Sequence, residues 1–163
     1  LEVLDQPELV RAMLGVLTET YIAFFKRWQS LVPAKDAYAI RWGLLYPGRI
    51  LLSFDSYMSI SPAMYDELFR PFDARLMADC GGGMIHTCGC GDHWLASAAT
   101  IEGVRAFHFA QPDYNDLDVL FGETVERGLL LVGFDPATAA REQVRGRRFH
   151  GRLHTASLPP AIA

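Results

Sequence analysis

The sequence predicts an α/β fold with parallel strands, on three observations. Short apolar segments alternate with amphipathic helical ones along most of the chain, which implies strand-helix-strand units and hence parallel pairing. Glycine clusters and capping residues punctuate the alternation. Residues able to do chemistry recur where apolar segments end, the position at which ligands gather in such sheets, open or closed into a barrel.

Taken in order, Pro7 to Gln29 carries Leu9, Val10, Met13, Leu14, Leu17, Tyr21, Phe24, Phe25 and Trp28 at helical recurrence, with Pro7 suited to a first turn. A loop follows near Val32 to Lys35. Arg49 to Phe54 is a short apolar run after Pro47-Gly48, suited to a strand buried on both faces and closed by Asp55-Ser56. Ser61-Pro62 reads as cap and first turn of a helix through Leu76, kinked or divided at Pro71 and ended by Gly81-Gly82-Gly83. The remaining units are strand Met84 to Thr87, helix Asp92 to Ala99, strand Ala106 to Phe109, helix Leu117 to Arg127, strand Leu129 to Val132 and helix Pro136 to Val144.

Length and composition, 163 residues at 50% hydrophobic content with a net charge of -4, describe one globular domain or part of one. Arg145, Arg147, Arg148 and Arg152 form only a short basic tail, read as solvated, and no basic stripe offers a nucleic-acid surface. No run is apolar enough to cross a bilayer, and Glu2 and Asp5 stand where a secretory signal needs positive charge, so the expected location is cytoplasmic. Three cysteines, two of them flanking one glycine, fit free thiols or metal thiolates better than a disulfide framework.

His86-Thr87-Cys88-Gly89-Cys90-Gly91-Asp92-His93 gathers imidazole, thiol and carboxylate groups within one turn. Side chains two apart on a strand share a face, so His86 and Cys88 can offer nitrogen and sulfur to one metal ion. The structural alternative is a Gly-rich turn with two buried thiols. Asp92 is read first as an N-cap, His93 as an exposed first-turn residue, His108 as a hydrogen-bonded core histidine and Cys80 as packing. Gln111 to Asp116 either lines a pocket or is a turn made of turn formers, and Arg41-Trp42-Gly43 and Tyr57-Met58 are either pocket walls or core.

Phe54-Asp55-Ser56, Ser61-Pro62-x-x-Tyr65 with Pro71, His86-x-Cys88-Gly89 and Gly128 to Gly133 together resemble the C-terminal half of the uroporphyrinogen decarboxylase superfamily. The resemblance implies a TIM (β/α)8-barrel fold, with residues 1–150 as a barrel segment and 151–163 as a C-terminal tail. A full barrel takes about 250 residues, so the chain is expected to supply only the C-terminal half. The His-x-Cys-Gly motif is similar to that of the superfamily's zinc methyltransferases, which move a methyl group between a corrinoid and a thiol. That branch implies zinc and a corrinoid as cofactors, a thiol substrate, and a corrinoid protein as partner.

The methyltransferases take a third zinc ligand from a later cysteine, and no cysteine follows Cys90 here. Cys90, Asp92, His93 or His108, or a group on another segment or chain, would replace it. The expected metal set is His86, Cys88 and Cys90, with Asp55 or Asp92 orienting an imidazole. Phe54-Asp55-Ser56 resembles the Phe-Glu-Ser of the decarboxylases, whose serine contacts substrate, which makes Asp55 and Ser56 the expected catalytic pair. Two alternatives stand beside the methyltransferase: decarboxylation of a porphyrinogen in tetrapyrrole biosynthesis, and a non-catalytic half-barrel completed by a partner subunit or, in a homodimer, a second copy. Nothing before Asp55 resembles the family's arginine and aspartate motifs for the porphyrinogen, so decarboxylation by this chain alone is not expected.

Overall fold

The computed structural model describes residues 2–155. A short helix α1 (Glu2–Asp5) leads into α2 (Pro7–Leu31), whose one-residue separation comes at Gln6, just before the proline that suits a first helical turn. Two short strands, β1 (Tyr38–Arg41) and β2 (Leu44–Pro47), then form an antiparallel hairpin that the sequence reading left out. Its two-residue turn is Trp42-Gly43, with φ of 51° and 77°. Positive φ at both central residues is what a tight hairpin of this twist requires; glycine adopts it freely, whereas the bulky Trp42 is held there under strain.

The sheet proper has five parallel strands in the order β3 (Ile50–Ser53), β4 (Gly83–Thr87), β5 (Val104–Phe109), β6 (Leu130–Phe134), β7 (Leu153–Thr155). Spatial order equals chain order. With right-handed crossovers, that arrangement sends every connecting helix to the same face of the sheet, as in the wall of a barrel. The sheet is nevertheless open: among the described residues β3 and β7 each have one neighbour. The α/β class and parallel pairing are therefore observed, and closure is not. β7 falls within the stretch expected to be a tail, whose last residues, 156–163, lie outside the described residues.

Strand alternation divides the core in two. Ile50, Ile85, Phe107 and Leu131 pack with Leu68, Trp94, Leu95, Leu120 and Ala139 on the helical side. Met84, Ala106 and Val132 face the other way and are covered by Tyr46 of the hairpin. Trp94, Phe107 and Leu120 are fully buried, each contributing about 2–3 kcal/mol of apolar burial, so β4 to β6 form a firm platform for whatever sits at their ends. Gly83 is imposed by closeness of backbone, since a Cβ there would lie 1.8 Å from the Ile50 carbonyl oxygen.

The helix expected from Pro62 to Leu76 occurs in three pieces: α3 (Pro62–Met64), a π-turn over Tyr65–Phe69, and α4 (Arg70–Asp79). Pro71 is the cause. It has no N–H for the Glu67 carbonyl, and the turn widens so that Arg70 N–H donates to Tyr65 O. Arg11 Nη1 reaches across from α2 and donates to the Glu67 carbonyl oxygen at 3.2 Å. α4 also carries a buried carboxyl, Asp73, held up at about 8 chiefly by burial, which the nearby Tyr65 and Tyr57 hydroxyls offset only in part. Asp73 Oδ2 and Tyr65 Oη have no hydrogen-bond partner.

Beyond β4 come α5 (Asp92–Ala98), α6 (Leu117–Glu123) and α7 (Pro136–Val144). Asp116 caps α6 by accepting from Asp118 N and Val119 N, and Asp135 caps α7 by accepting from Thr138 N. Of the four basic residues read as a solvated tail, Arg147 is instead tied to Asp118, Glu126 and Glu142 and lies over the Phe121 ring, and Arg152 donates to Gly128 O. No helix among the described residues is long and apolar enough to cross a membrane.

Candidate metal centre

Parallel pairing of β3 with β4 brings the site together. Ser53 sits in register with His86, and Phe54 N–H donates to His86 O at 2.7 Å, so Asp55 arrives beside Cys88. Cys88 N–H donates to Asp55 Oδ1 at 2.8 Å, and Ser53 Oγ donates to Oδ2 at 2.7 Å. His86 and Cys88, two apart in sequence, point the same way as the strand period requires: Cys88 Sγ lies 3.5 Å from His86 Nε2. Asp55 Oδ1 lies 3.4 Å from the same nitrogen.

These spacings bear on metal binding directly. Ligands bound to tetrahedral zinc at 2.0–2.3 Å stand about 3.3–3.6 Å from one another, which is the separation found between nitrogen and sulfur and between nitrogen and oxygen here. Asp55, His86 and Cys88 form one of two such donor groups among the described residues. The third donor is thus a carboxylate on the neighbouring strand end, in a place where the sequence suggested catalysis or orientation of an imidazole.

The other nitrogen of His86 is engaged as well. His86 Nδ1 lies 2.9 Å from His108 Nδ1, across a pairing in which β4 and β5 set the two residues in register, and the rings stack at 4.8 Å. Burial holds both imidazoles below the usual histidine range, His108 at about 4 with the His86 charge adding to the effect. Both rings are neutral at pH 7, so one Nδ1 donates and the other accepts. With His86 Nε2 serving as a ligand, its proton resides on Nδ1 and is donated to His108, which then carries its own proton on Nε2. His108 is accordingly a positioning residue for His86, half-buried and hydrogen-bonded as the sequence suggested.

Charges at the site follow the same causes. Burial works to raise the Asp55 carboxyl, but hydrogen bonds from Ser53 and Cys88 and the proximity of His86 outweigh it and hold the group below its ordinary value. Burial, then the Asp55 charge, pushes the Cys88 thiol up. The metal-free site therefore holds a carboxylate, a neutral imidazole and a thiol.

The turn after Cys88 is braced by the loop before α6. Gly89 N–H donates to Gln111 Oε1 at 2.6 Å, and Asn115 accepts from Gly91 N and Asp92 N while donating to Gly89 O. Gln111 and Asn115 thus hold the ligand turn, a role the sequence left open between pocket lining and turn. Cys90 does not join His86 and Cys88; it groups with Asp92 and His93. Gly91, with no side-chain cap bond, is the N-cap of α5 in place of Asp92. Ser56 lies exposed on a 3-10 turn (Asp55–Ser59), and Cys80 is buried in the core.

The Trp42 indole stands edge-on to His86 at 4.8 Å, with the Arg41 guanidinium 5.2 Å from the ring centre. Beside His108, a cleft of about 360 Å³ is lined by Trp42, Leu44, Phe109, Pro112 and Phe134. Its size and apolar lining suit a small molecule. No protein-family model, curated protein or solved structure matches the chain.

Proposed function

We propose that the chain belongs to a zinc-dependent methyltransferase of the uroporphyrinogen decarboxylase superfamily, moving a methyl group between a corrinoid and a thiol, and that its sheet is one wall of a (β/α)8 barrel. The observation that carries the proposal is the spacing of Asp55 Oδ1 and Cys88 Sγ from His86 Nε2, 3.4 and 3.5 Å, which matches two edges of a zinc tetrahedron, with the three donors all within 4.8 Å of one another. Bound there, zinc supplies a Lewis acid that keeps a substrate thiol in its thiolate form at neutral pH.

The chain's own residues do the rest. His86, Cys88 and Asp55 would hold the ion, with Asp55 as carboxylate and Cys88 as thiolate offsetting its divalent charge. His108 accepts the His86 Nδ1 proton and fixes the ring that binds. Trp42 packs against His86, and the apolar cleft beside His108 is the proposed seat for the apolar part of a substrate. A corrinoid protein presenting the methyl group is the proposed partner.

Elemental analysis tests this first. The full chain is expected to hold zinc, with one equivalent lost from His86→Ala, from Cys88→Ala and from Asp55→Ala, and loss of thiol methylation with methylcobalamin as donor. Unchanged zinc content in all three variants would end the proposal.

One observation favours a second reading, a half-barrel that completes its site with another subunit or a second copy. Leu9, Met13, Val16, Leu17, Phe24 and Trp28 of α2 are all at least half exposed along one helix. Sedimentation as a clean monomer at micromolar concentration counts against it. Decarboxylase-type chemistry would depend on Ser56, which is exposed and is not one of the grouped donors.

A further inference from the structure

We infer that Cys90, Asp92 and His93 form a second metal site, for a transition-metal cation of the zinc class, on the turn that carries Cys88. The three donor atoms lie within 4.8 Å of one another. Cys90 Sγ is 3.3 Å from Asp92 Oδ1 and 3.9 Å from His93 Nδ1, and that nitrogen is 3.9 Å from Asp92 Oδ1. These separations need closing by only a few tenths of an ångström to reach the about 3.3–3.6 Å of tetrahedral zinc ligands.

The state of His93 is what distinguishes this cluster from a chance grouping. Its Nε2 faces two backbone carbonyl oxygens, Ile60 O at 3.0 Å and Tyr57 O at 3.3 Å, and neither can donate. In the neutral ring the proton therefore sits on Nε2, which leaves Nδ1 as the nitrogen facing Cys90 and Asp92. Donation of one ring N–H to a carbonyl, with the other nitrogen left free, is the arrangement that orients metal-binding histidines. Asp92 is prepared in the same way, since its Oδ2 accepts from Asp116 N at 2.9 Å while Oδ1 faces the cluster.

Electrostatics set a condition on the ligand. The first turn of α5 has its positive end here, which opposes a cation, and the Asp92 carboxylate and Cys90 thiolate supply the two charges that offset it. A hard cation such as magnesium gains little from sulfur and nitrogen donors, whereas zinc, cobalt(II) or nickel is well matched. Such an ion would tie the turn at Cys90 to the first turn of α5, and so stiffen the segment that follows Cys88.

Titration of the chelator-stripped full chain with cobalt(II) as probe tests the inference, because each site contributes one thiolate and hence its own sulfur-to-cobalt absorption. Two equivalents are expected. Cys90→Ala and His93→Gln should each lose the second equivalent and keep the first, and Cys88→Ala should do the reverse. His93→Gln retains an N–H for the carbonyls, and its circular dichroism separates loss of a ligand from loss of fold. One equivalent in the unmodified chain that disappears only with Cys88→Ala, no uptake at all, or two equivalents surviving both Cys90→Ala and His93→Gln would overturn the inference. One equivalent that disappears only with Cys90→Ala would keep this site and remove the first.

Discussion

Replacing His108 with phenylalanine removes one nitrogen-nitrogen hydrogen bond from the site while keeping an aromatic ring against Trp42 and His86. His86 is only 5% exposed, so its Nδ1–H would lose its partner without gaining water. An unsatisfied buried donor costs about 1–3 kcal/mol. Loss of a partner that orients a ligating histidine lowers metal affinity about 10–100-fold, or about 1.4–2.7 kcal/mol, and the two ranges overlap. Competition for zinc against a chromophoric chelator, on a Cys90→Ala background so that only one site titrates, should read that drop. His108→Asn, whose amide oxygen can accept the proton, should recover part of it. Zinc affinity unchanged in His108→Phe, with the fold intact by circular dichroism, would refute the claim that His86 binds through Nε2 while its Nδ1–H donates to His108.

Because the Cys88 thiol is raised, the His86 imidazole lowered and the Asp55 carboxyl lowered, zinc binding to this site at pH 7 should expel about one proton, read by calorimetry in buffers of differing ionisation enthalpy. Release near zero would mean that the thiol is not a ligand. Asp73, held at about 8, binds its proton more tightly folded than unfolded, so its stability contribution is full below the unfolded carboxyl range and is lost as pH rises toward 8. Asp73→Asn should therefore flatten the dependence of stability on pH between those limits, by an amount on the order of 5 kcal/mol, in denaturant titrations at several pH values. Gly83→Ala forces a methyl group onto the Ile50 carbonyl and should cost more than about 3 kcal/mol or prevent folding, whereas Gly122→Ala, inside α6 with open space around it and no positive φ, should be tolerated far better in thermal melts.

Periodic segments were readable because burial imposes them. α7 matches its expected bounds of Pro136 to Val144, and β4 is buried along its whole length, as an apolar strand between two covered faces must be. The hairpin was missed because β1 and β2 are four residues each and the turn uses Trp42, a residue that no turn preference predicts at positive φ. The signal available was Gly43 between Tyr38, Ile40 and Leu44, Tyr46. β7 has three residues, too few to show a period. α6 ends at Glu123 rather than Arg127, with Thr124 at its C-cap and turn residues after it.

At the site, the two-residue spacing of His86 and Cys88 carried its own geometry and was legible. Asp55 as a third donor was not, because its nearness to Cys88 depends on the register between β3 and β4, which a single sequence does not display. Cys90 lay in the same motif but on a turn, where the strand period no longer says which way a side chain points. Bracing by Gln111 and Asn115 likewise depends on the packing of one strand-end loop against another.

Zinc-edge X-ray absorption on the Cys90→Ser chain, loaded with one equivalent, examines the ligand set most directly. The account predicts one sulfur neighbour at about 2.3 Å with nitrogen and oxygen neighbours at about 2.0–2.2 Å, the sulfur vanishing in the further variant Cys88→Ser. A shell of light atoms alone around zinc in the Cys90→Ser protein would contradict it.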